Sequence, residues 1–265
     1  MPLWLTDLSI FVALLAISEL MFRTGRSRGR PASEDVHSQI TAAQASSLGL
    51  LALMLGFTLS MAESRFNARR GVLIEEANAI STTYLRADYL GEPIRSQSRQ
   101  LIREYVKARR VFYRASLAEA PAATARAEEL QRQLWALVVS YAPTHLDSDV
   151  AALYIESLNQ VIDLEATRDV AVIARLPWTI NLLLVIVALV AVGITGYATG
   201  IGGARVSVML YVTPALIAVA CAIVADLDRA RAGHISTGDL PMIRLERWLE
   251  SQNRIEAASE KVMPF

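Results

Sequence analysis

Carboxylate, amide and guanidinium side chains that are able to bind a ligand or one another cluster on two segments that read as helices. The members of the two clusters are Glu75, Glu76, Asn78 and Arg86 on the first, and Asn159, Asp163, Glu165 and Arg168 on the second. If the two helices are antiparallel neighbours, these groups meet as a buried polar network that fixes the helix register. A di-metal bundle would bring Glu-x-x-His pairs, whereas the three histidines are scattered in or beside helix breaks. The pattern favours the structural network over a metal site.

Motifs of the common enzyme classes do not occur in the sequence. It contains no HExxH, CxxC, P-loop, GxGxxG or Gly-x-Ser-x-Gly pattern, and its one cysteine, Cys221, lies in an apolar run. We therefore predict no catalytic residue, no metal and no cofactor, and a protein that is not an enzyme. Basic and acidic residues number 26 each, and this balance gives no argument for a nucleic-acid partner.

One face of a short apolar segment carries small and hydrophilic residues. Spacings of three and four residues connect Gly49, Ala52, Gly56, Ser60 and Glu63. In lipid, small residues on one helix face let neighbouring backbones approach closely, so one interpretation is a helix–helix contact face. The alternative is that this face lines an aqueous path in an oligomer, where Thr58, Ser60 and Glu63 hydrate it.

Charged residues flank the apolar runs at what the topology makes one membrane interface. They are Asp7, Glu63, Arg65, Arg175, Asp226, Asp228 and Arg229. Charges are costly deeper in hydrocarbon, and they pair or face water there. Ordinary ion pairing and snorkelling towards water explain most of them, and an ion-binding vestibule or gate is the alternative.

Four apolar runs must position these residues. They extend over 3–22, 42–62, 178–200 and 206–225, and each is long enough to cross a bilayer core of about 30 Å. The central segment, 63–177, carries 15 basic and 15 acidic residues. The predicted fold class is therefore all-α and integral to the membrane, with four transmembrane helices and a helical extramembrane domain inserted between the second and third.

The segments follow from these runs. We predict a first transmembrane pair at 1–62, the extramembrane domain at 63–177, a second pair at 178–228 and a C-terminal tail at 229–265. The second span continues outward as one helix past Ser64, since only Gly71 interrupts it, and a second long helix over 147–176 leads into the third span. The glycines at 196, 200, 202 and 203 read as a tight turn between the last two spans. In the tail, an amphipathic stretch over 240–249 lies on the membrane surface or docks on the bundle.

Two groups of arginines give opposite predictions for the side of the membrane on which the central domain lies. Arg23, Arg26, Arg28 and Arg30 follow the first span at once, which by the positive-inside rule puts that short loop in the cytoplasm and the central domain outside. Arginines on the other side of the spans argue the reverse. The expected location is a bacterial inner membrane, with the central domain leaning towards the extracytoplasmic side.

Several stretches resemble the bestrophin-like domain family, a group of bacterial four-span membrane proteins. They are SSLGLLALMLGFTLSMAESRFNARR from Ser46, VLIEEANAISTTYLRADYL from Val72, LNQVIDLEATR from Leu158 and ADLDRARAGHI from Ala225. After Asp226, Asp228 and Arg229 the family pattern usually continues Pro-Phe-Ser-Gly, and here it reads Ala-Arg-Ala-Gly. The resemblance implies kinship with bestrophins, which are pentameric anion channels that keep the helical domain in the cytoplasm.

Two classes of function remain open. The first is a homo-oligomeric ion channel in the lipid bilayer that passes small inorganic ions, as the weakly apolar second span and the interface charges suggest. The second is a membrane-anchored scaffold or sensor, whose charged, motif-free helical domain binds a protein partner.

Overall fold

In a computed structural model, the chain is described over residues 3–27, 34–114, 119–141, 148–202, 208–229 and 238–262. All regular elements in these ranges are helices, as the predicted all-α class requires. They are α1 (Leu3–Ser27), α2 (Glu34–Arg86), a short 3₁₀ helix (Ala87–Tyr89), α3 (Ile94–Arg114), α4 (Ala120–Tyr141), α5 (Asp149–Ile173), α6 (Trp178–Ile201), α7 (Met209–Asp228) and α8 (Leu240–Val262).

Within the described ranges, four helices are long and apolar enough to cross a membrane. They are α1, α2, α6 and α7, the helices that contain the four predicted apolar runs. The expected start of the last run, Val206, lies outside the described residues. Length and hydropathy were therefore sufficient to find these helices from sequence.

Helix α2 continues far beyond its apolar part. It is 53 residues long and includes Gly71 in its interior, as the scarcity of helix breakers predicted. It ends in the 3₁₀ turn before Gly91 and Pro93, and α3 begins directly after that proline. Proline at such a boundary loses no helical hydrogen bond, because its nitrogen would have had no partner there.

The predicted second long helix is shorter than expected. We predicted a helix over 147–176 that leads into the third span, but α5 ends at Ile173 and residues 174–177 are not helical. Pro177 explains the non-helical conformation of Leu176, because its ring disfavours helical conformation in the preceding residue. Pro177 itself has φ −54° and ψ 131° and directly precedes α6.

The chain divides into two compact units. Unit 1 comprises residues 1–67 and 174–236, and unit 2 comprises 68–173 and 237–265. The central helices and the C-terminal helix α8, which the sequence analysis treated as separate segments, fall in the same unit.

Unit 1 is built on a close contact between α1 and α6. Gly196 and Gly200 of α6 lie against the backbone of Ser18 and Phe22 in α1, and Gly25 of α1 lies against the Tyr197 carbonyl. The prediction of a glycine turn was therefore wrong for Gly196 and Gly200, which lie inside α6. Gly202 follows the helix end, and Gly203 lies outside the described residues. Four-residue spacing of glycines brings one helix against another in lipid, and this packing is the reason for the pattern.

Unit 2 has a core contributed by the end of α2 and by α3, α4, α5 and α8. Its fully buried side chains include Ile80, Tyr84, Ile102, Leu130 and Leu158. From α8 it includes Met242, Leu245 and Leu249. Of the two alternatives for the amphipathic stretch, the structure therefore shows docking on other helices.

Candidate functional site

The small-residue face of α2 is not covered by any other part of the described chain. Gly49, Ala52, Gly56, Ser60 and Glu63 are all exposed. A Cβ added at Gly49 or at Gly56 would meet no described atom within 4 Å apart from the neighbouring backbone of α2 itself. Because the spacing is that of one helix face, the result is a continuous uncovered strip along the apolar part of α2.

The opposite face of α2 packs within unit 1. Leu51 and Ala62 are buried, and Ala62 packs with Leu176 and Val224. Thr58 lies on this buried face, where its hydroxyl donates to the Met54 carbonyl at 2.8 Å and to the Leu55 carbonyl at 3.1 Å. Thr58 is therefore separated from the other four predicted pore or packing residues, Gly49, Gly56, Ser60 and Glu63.

Several of the predicted interface charges come together at one end of unit 1. The Arg229 guanidinium donates to Asp7 at 3.5 Å, which joins the end of α7 to the start of α1. The backbone N–H of Leu176 donates to the Asp228 carboxylate at 2.8 Å. Arg175 precedes Leu176 and is exposed, whereas Arg65 and Asp226 are half-buried.

A buried ionic cluster occupies the core of unit 2, and Arg109 is its centre. The Arg109 side chain is fully buried; its Nε donates to Glu76 at 3.0 Å and its Nη1 to Glu165 at 3.4 Å. Arg168 donates to Glu165 at 3.5 Å and to Asp169 at 2.8 Å. The guanidinium carbons of Arg109 and Arg168 each lie 5.0 Å from the ring centre of Phe112. Helices α2, α3 and α5 thus share one network of charges.

Burial controls the electrostatics of this cluster. Removal from water raises the pKa of Glu165 to about 7, although the nearby Arg109 opposes the shift. Burial also raises the pKa of Asp169 above its usual range. Buried carboxylates of this kind occur in functional sites and in structural ion-pair networks alike. Glu76, Glu165 and Arg168 belong to the cluster, and they were among the eight polar residues singled out in the sequence.

The other five predicted network residues lie elsewhere. Glu75, Asn78, Asn159 and Asp163 are exposed. Arg86 donates to the Leu153 carbonyl at 2.6 Å and lies 3.8 Å from Glu156, so it ties α2 to α5 away from the cluster.

Sequence reasoning missed Arg109, although a signal was present. Ile102, Tyr105 and Phe112 of α3 are buried, and Arg109 falls on the same face at helical spacing. A basic residue on an otherwise apolar helix face indicates a buried charge that requires acidic partners. Among the described residues, no group of three His, Cys, Asp or Glu side chains is placed to hold a metal ion.

Four membrane-length helices in an all-helical fold define a multi-span membrane protein. The sequence over residues 10–242 matches the family model described as the Bestrophin-like domain, and the chain belongs to this family. None of the curated proteins matches the chain.

Crystal structures of a bacterial bestrophin homologue from Klebsiella pneumoniae share the fold. A variant of that protein with a Trp-to-Ala substitution superposes with a TM-score of 0.64 at 14% identity, over 92% of this chain and 95% of that chain. A variant with a Leu-to-Thr substitution gives a TM-score of 0.63 at 13% identity, over 92% and 98%. At such identity the similarity shows the fold alone.

Proposed function

We propose that this protein is a homo-oligomeric channel for small inorganic ions, in which the uncovered face of α2 lines the pore. The observation that carries the proposal is the exposure of Gly49, Gly56, Ser60 and Glu63 along one face of a membrane-length helix. Membership of the bestrophin-like family supports it independently.

The alternative for such a face is contact with acyl chains, and the exposed Leu53 and Phe57 beside the strip suit either acyl chains or a neighbouring copy. The strip itself is small and hydrophilic at Gly49, Gly56 and Ser60, and it ends at the Glu63 carboxylate near the membrane interface, which favours water. Copies of α2 around a central axis would turn these groups towards water. Glycine at positions 49 and 56 would keep the path wide, because glycine has no side chain.

Glu63 is the residue that would control which ions pass. In a ring of identical subunits it would form a ring of carboxylates, and such rings favour cations over anions. The interface charges Arg65, Arg175, Asp226, Asp228 and Arg229 belong to the same proposal as charges near the entrance. The cluster around Arg109 enters it as a structural element of unit 2.

The test combines assembly with conduction. Mass photometry of the purified protein in detergent is expected to show a closed ring, and planar bilayers containing it are expected to conduct. Glu63→Gln should lower the ratio of cation to anion permeability, whereas Glu75→Gln, on an exposed carboxylate farther along α2, should not. A well-folded monomer or dimer that gives silent bilayers would refute the channel and favour a scaffold or sensor.

A second measurement locates the water-filled face. In a Cys221→Ala background, Ser60→Cys is expected to react with a charged thiol reagent and to lose current. Thr58→Cys, two residues away on the buried face, is expected to be unaffected. Equal reaction at the two positions would contradict the assignment of the face.

A further inference from the structure

A cavity of about 370 Å³ opens at the end of unit 1 where the interface charges meet. Small-molecule sites typically have volumes of about 300 to 1,000 Å³, so this cavity is large enough for a ligand. Its polar wall is formed by Asp7, Arg175, Asp228 and Arg229, and its apolar wall includes Leu184 and Val224.

The polar wall carries equal numbers of opposite charges. Two of the four groups are already engaged: Asp228 accepts the Leu176 N–H at 2.8 Å, and Arg229 donates to Asp7 at 3.5 Å. The exposed guanidinium of Arg175 forms no hydrogen bond or ion pair within the described part of the chain. A strongly anionic ligand would meet both carboxylates, so the wall suits a ligand with one charge of each sign.

The Asp7 carboxylate can accept a further hydrogen bond. Its Oδ2 accepts only the long bond from Arg229, and its Oδ1 has no partner although it is buried. A buried acceptor without a partner costs free energy, and this cost is recovered when a donor arrives. The Asp7 side chain lines the cavity and is 29% exposed as a whole, so a donor in the cavity meets Oδ1 once the carboxylate turns towards it.

Two helix ends also line the cavity. Trp178 and Asn181, in the first turn of α6, line the cavity near Arg175, and a helix N-terminus favours a negative group. Ala225, in the last turn of α7, also lines the cavity, and a helix C-terminus favours a positive group. The exposed ring of Trp178 is of the type that sits at the headgroup level of a bilayer.

We propose that this cavity binds the headgroup of phosphatidylethanolamine. The Arg175 guanidinium takes the phosphate, the Asp7 carboxylate takes the primary ammonium, and the apolar wall receives the upper part of the acyl chains. This proposal rests on the membrane location of unit 1 and does not depend on conduction.

Native mass spectrometry of the full chain in detergent tests the proposal by lipid titration. The wild-type protein is expected to bind phosphatidylethanolamine about tenfold more tightly than phosphatidylcholine with the same acyl chains, because a quaternary ammonium cannot donate a hydrogen bond. Phosphatidylglycerol, which lacks the cation, is expected to bind as weakly as phosphatidylcholine. Equal binding of the three lipids would overturn the proposal without the need for any variant.

Two variants test the proposed roles of Asp7 and Arg175 separately. Asp7→Asn should abolish the preference for phosphatidylethanolamine, so that phosphatidylethanolamine and phosphatidylcholine bind this variant with equal affinity. Arg175→Gln should weaken both lipids by about tenfold, because both carry the phosphate. The matched control is Arg23→Gln, an exposed arginine at the other end of α1 that pairs with Glu19, and it should change neither affinity. A control that falls as far as Arg175→Gln would refute the site.

Soluble phosphoethanolamine distinguishes a lipid from a free metabolite of the same chemistry. It lacks acyl chains, so it is expected not to compete with the lipid at the same concentration. Competition at equal concentration would overturn the assignment to a lipid. All these readouts are binding measurements, and silent bilayers would therefore leave them untouched.

Discussion

Gly196 of α6 lies directly against the backbone carbonyl of Ser18 in α1. A Cβ at position 196 would overlap the Ser18 carbonyl oxygen and would lie 3.2 Å from the Ser18 Cα. The hydroxyl of the same serine donates to the Leu210 carbonyl of α7 at 3.0 Å. Ser18 of α1 thus contacts two other membrane-length helices of unit 1. The contact with α6 requires glycine at position 196, and the contact with α7 uses the serine hydroxyl.

Gly196→Ala is expected to destabilise the protein by about 1 to 3 kcal/mol, because the added methyl group forces two helix backbones apart. Thermal unfolding in detergent, followed by circular dichroism, measures the loss. Gly71→Ala is the matched control, since a Cβ there meets no atom within 4 Å and alanine favours the helix interior. Its stability should be unchanged or higher by up to about 1 kcal/mol. Equal losses in both variants would contradict the close contact.

Arg109→Met is expected to cost about 3 to 5 kcal/mol of stability, because Glu76 and Glu165 would then be buried without their main counter-charge. Denaturant unfolding of the full chain measures the loss. Arg132→Met is the control: Arg132 also pairs with a glutamate, Glu129, but on the surface, and its removal should cost less than about 1 kcal/mol. Adding Glu76→Gln to Arg109→Met should recover part of the stability. A double variant that is less stable than Arg109→Met would argue against charge burial as the cause.

The raised pKa of Glu165 predicts a dependence of stability on pH. Its folded pKa of about 7 lies above the ordinary unfolded value, so the folded state binds the proton more tightly. This contribution is fully present below about pH 4.5 and is lost as the pH rises to about 7. Glu165→Gln should therefore flatten the fall in melting temperature between pH 5 and pH 8.

Asp163→Asn is the control for that measurement, because Asp163 is an exposed carboxylate on the same helix. It should leave the pH profile as in the wild-type protein. The charged groups that act on Glu165 are Arg109, Arg168, Glu76, Asp169 and Glu128, and all of them are present in both variants. An unchanged slope in Glu165→Gln would show that another group is responsible.

The packing of α8 on unit 2 is testable within one helix. Leu249 is 1% exposed and lies in the core, whereas Leu240 is 52% exposed. Leu249→Ala should destabilise the protein by about 2 to 5 kcal/mol, and Leu240→Ala should change stability by less than about 0.5 kcal/mol. Thermal unfolding reports both. Similar small effects would indicate that α8 leaves the core readily.

Local signals were sufficient for some elements and insufficient for others. The continuation of α2 beyond Ser64 followed from the scarcity of helix breakers, and the four apolar runs followed from hydropathy, but the start of α2 at Glu34 lies before the predicted start of the span at residue 42. The early end of α5 at Ile173 did not follow, because the steric effect of Pro177 acts directly only on the residue before it. Gly196 and Gly200 were predicted to lie in a turn, since glycines near the end of an apolar run are typical both of turns and of helix–helix contacts. Only the position of α1 distinguishes the two.

The candidate sites, too, were predictable from the sequence only in part. Spacing alone placed Gly49, Gly56, Ser60 and Glu63 on one face of α2, but whether another helix covers that face depends on tertiary packing. Glu76 and Glu165 were identified as members of two polar clusters on predicted helices. Their bond to Arg109 was not, because it joins residues 33 and 56 positions apart through three different helices.

On the uncovered face of α2, a residue is constrained by what lies outside the chain and not by packing within it. Within the described residues, a Cβ at Gly49 or Gly56 would meet no atom outside the backbone of α2, so a small side chain there does not disturb the packing of the chain on steric grounds. Selection at these positions acts through whatever lies beyond the subunit, whether neighbouring copies, water or lipid. Variation at these glycines can therefore alter function with little penalty to the fold of the subunit.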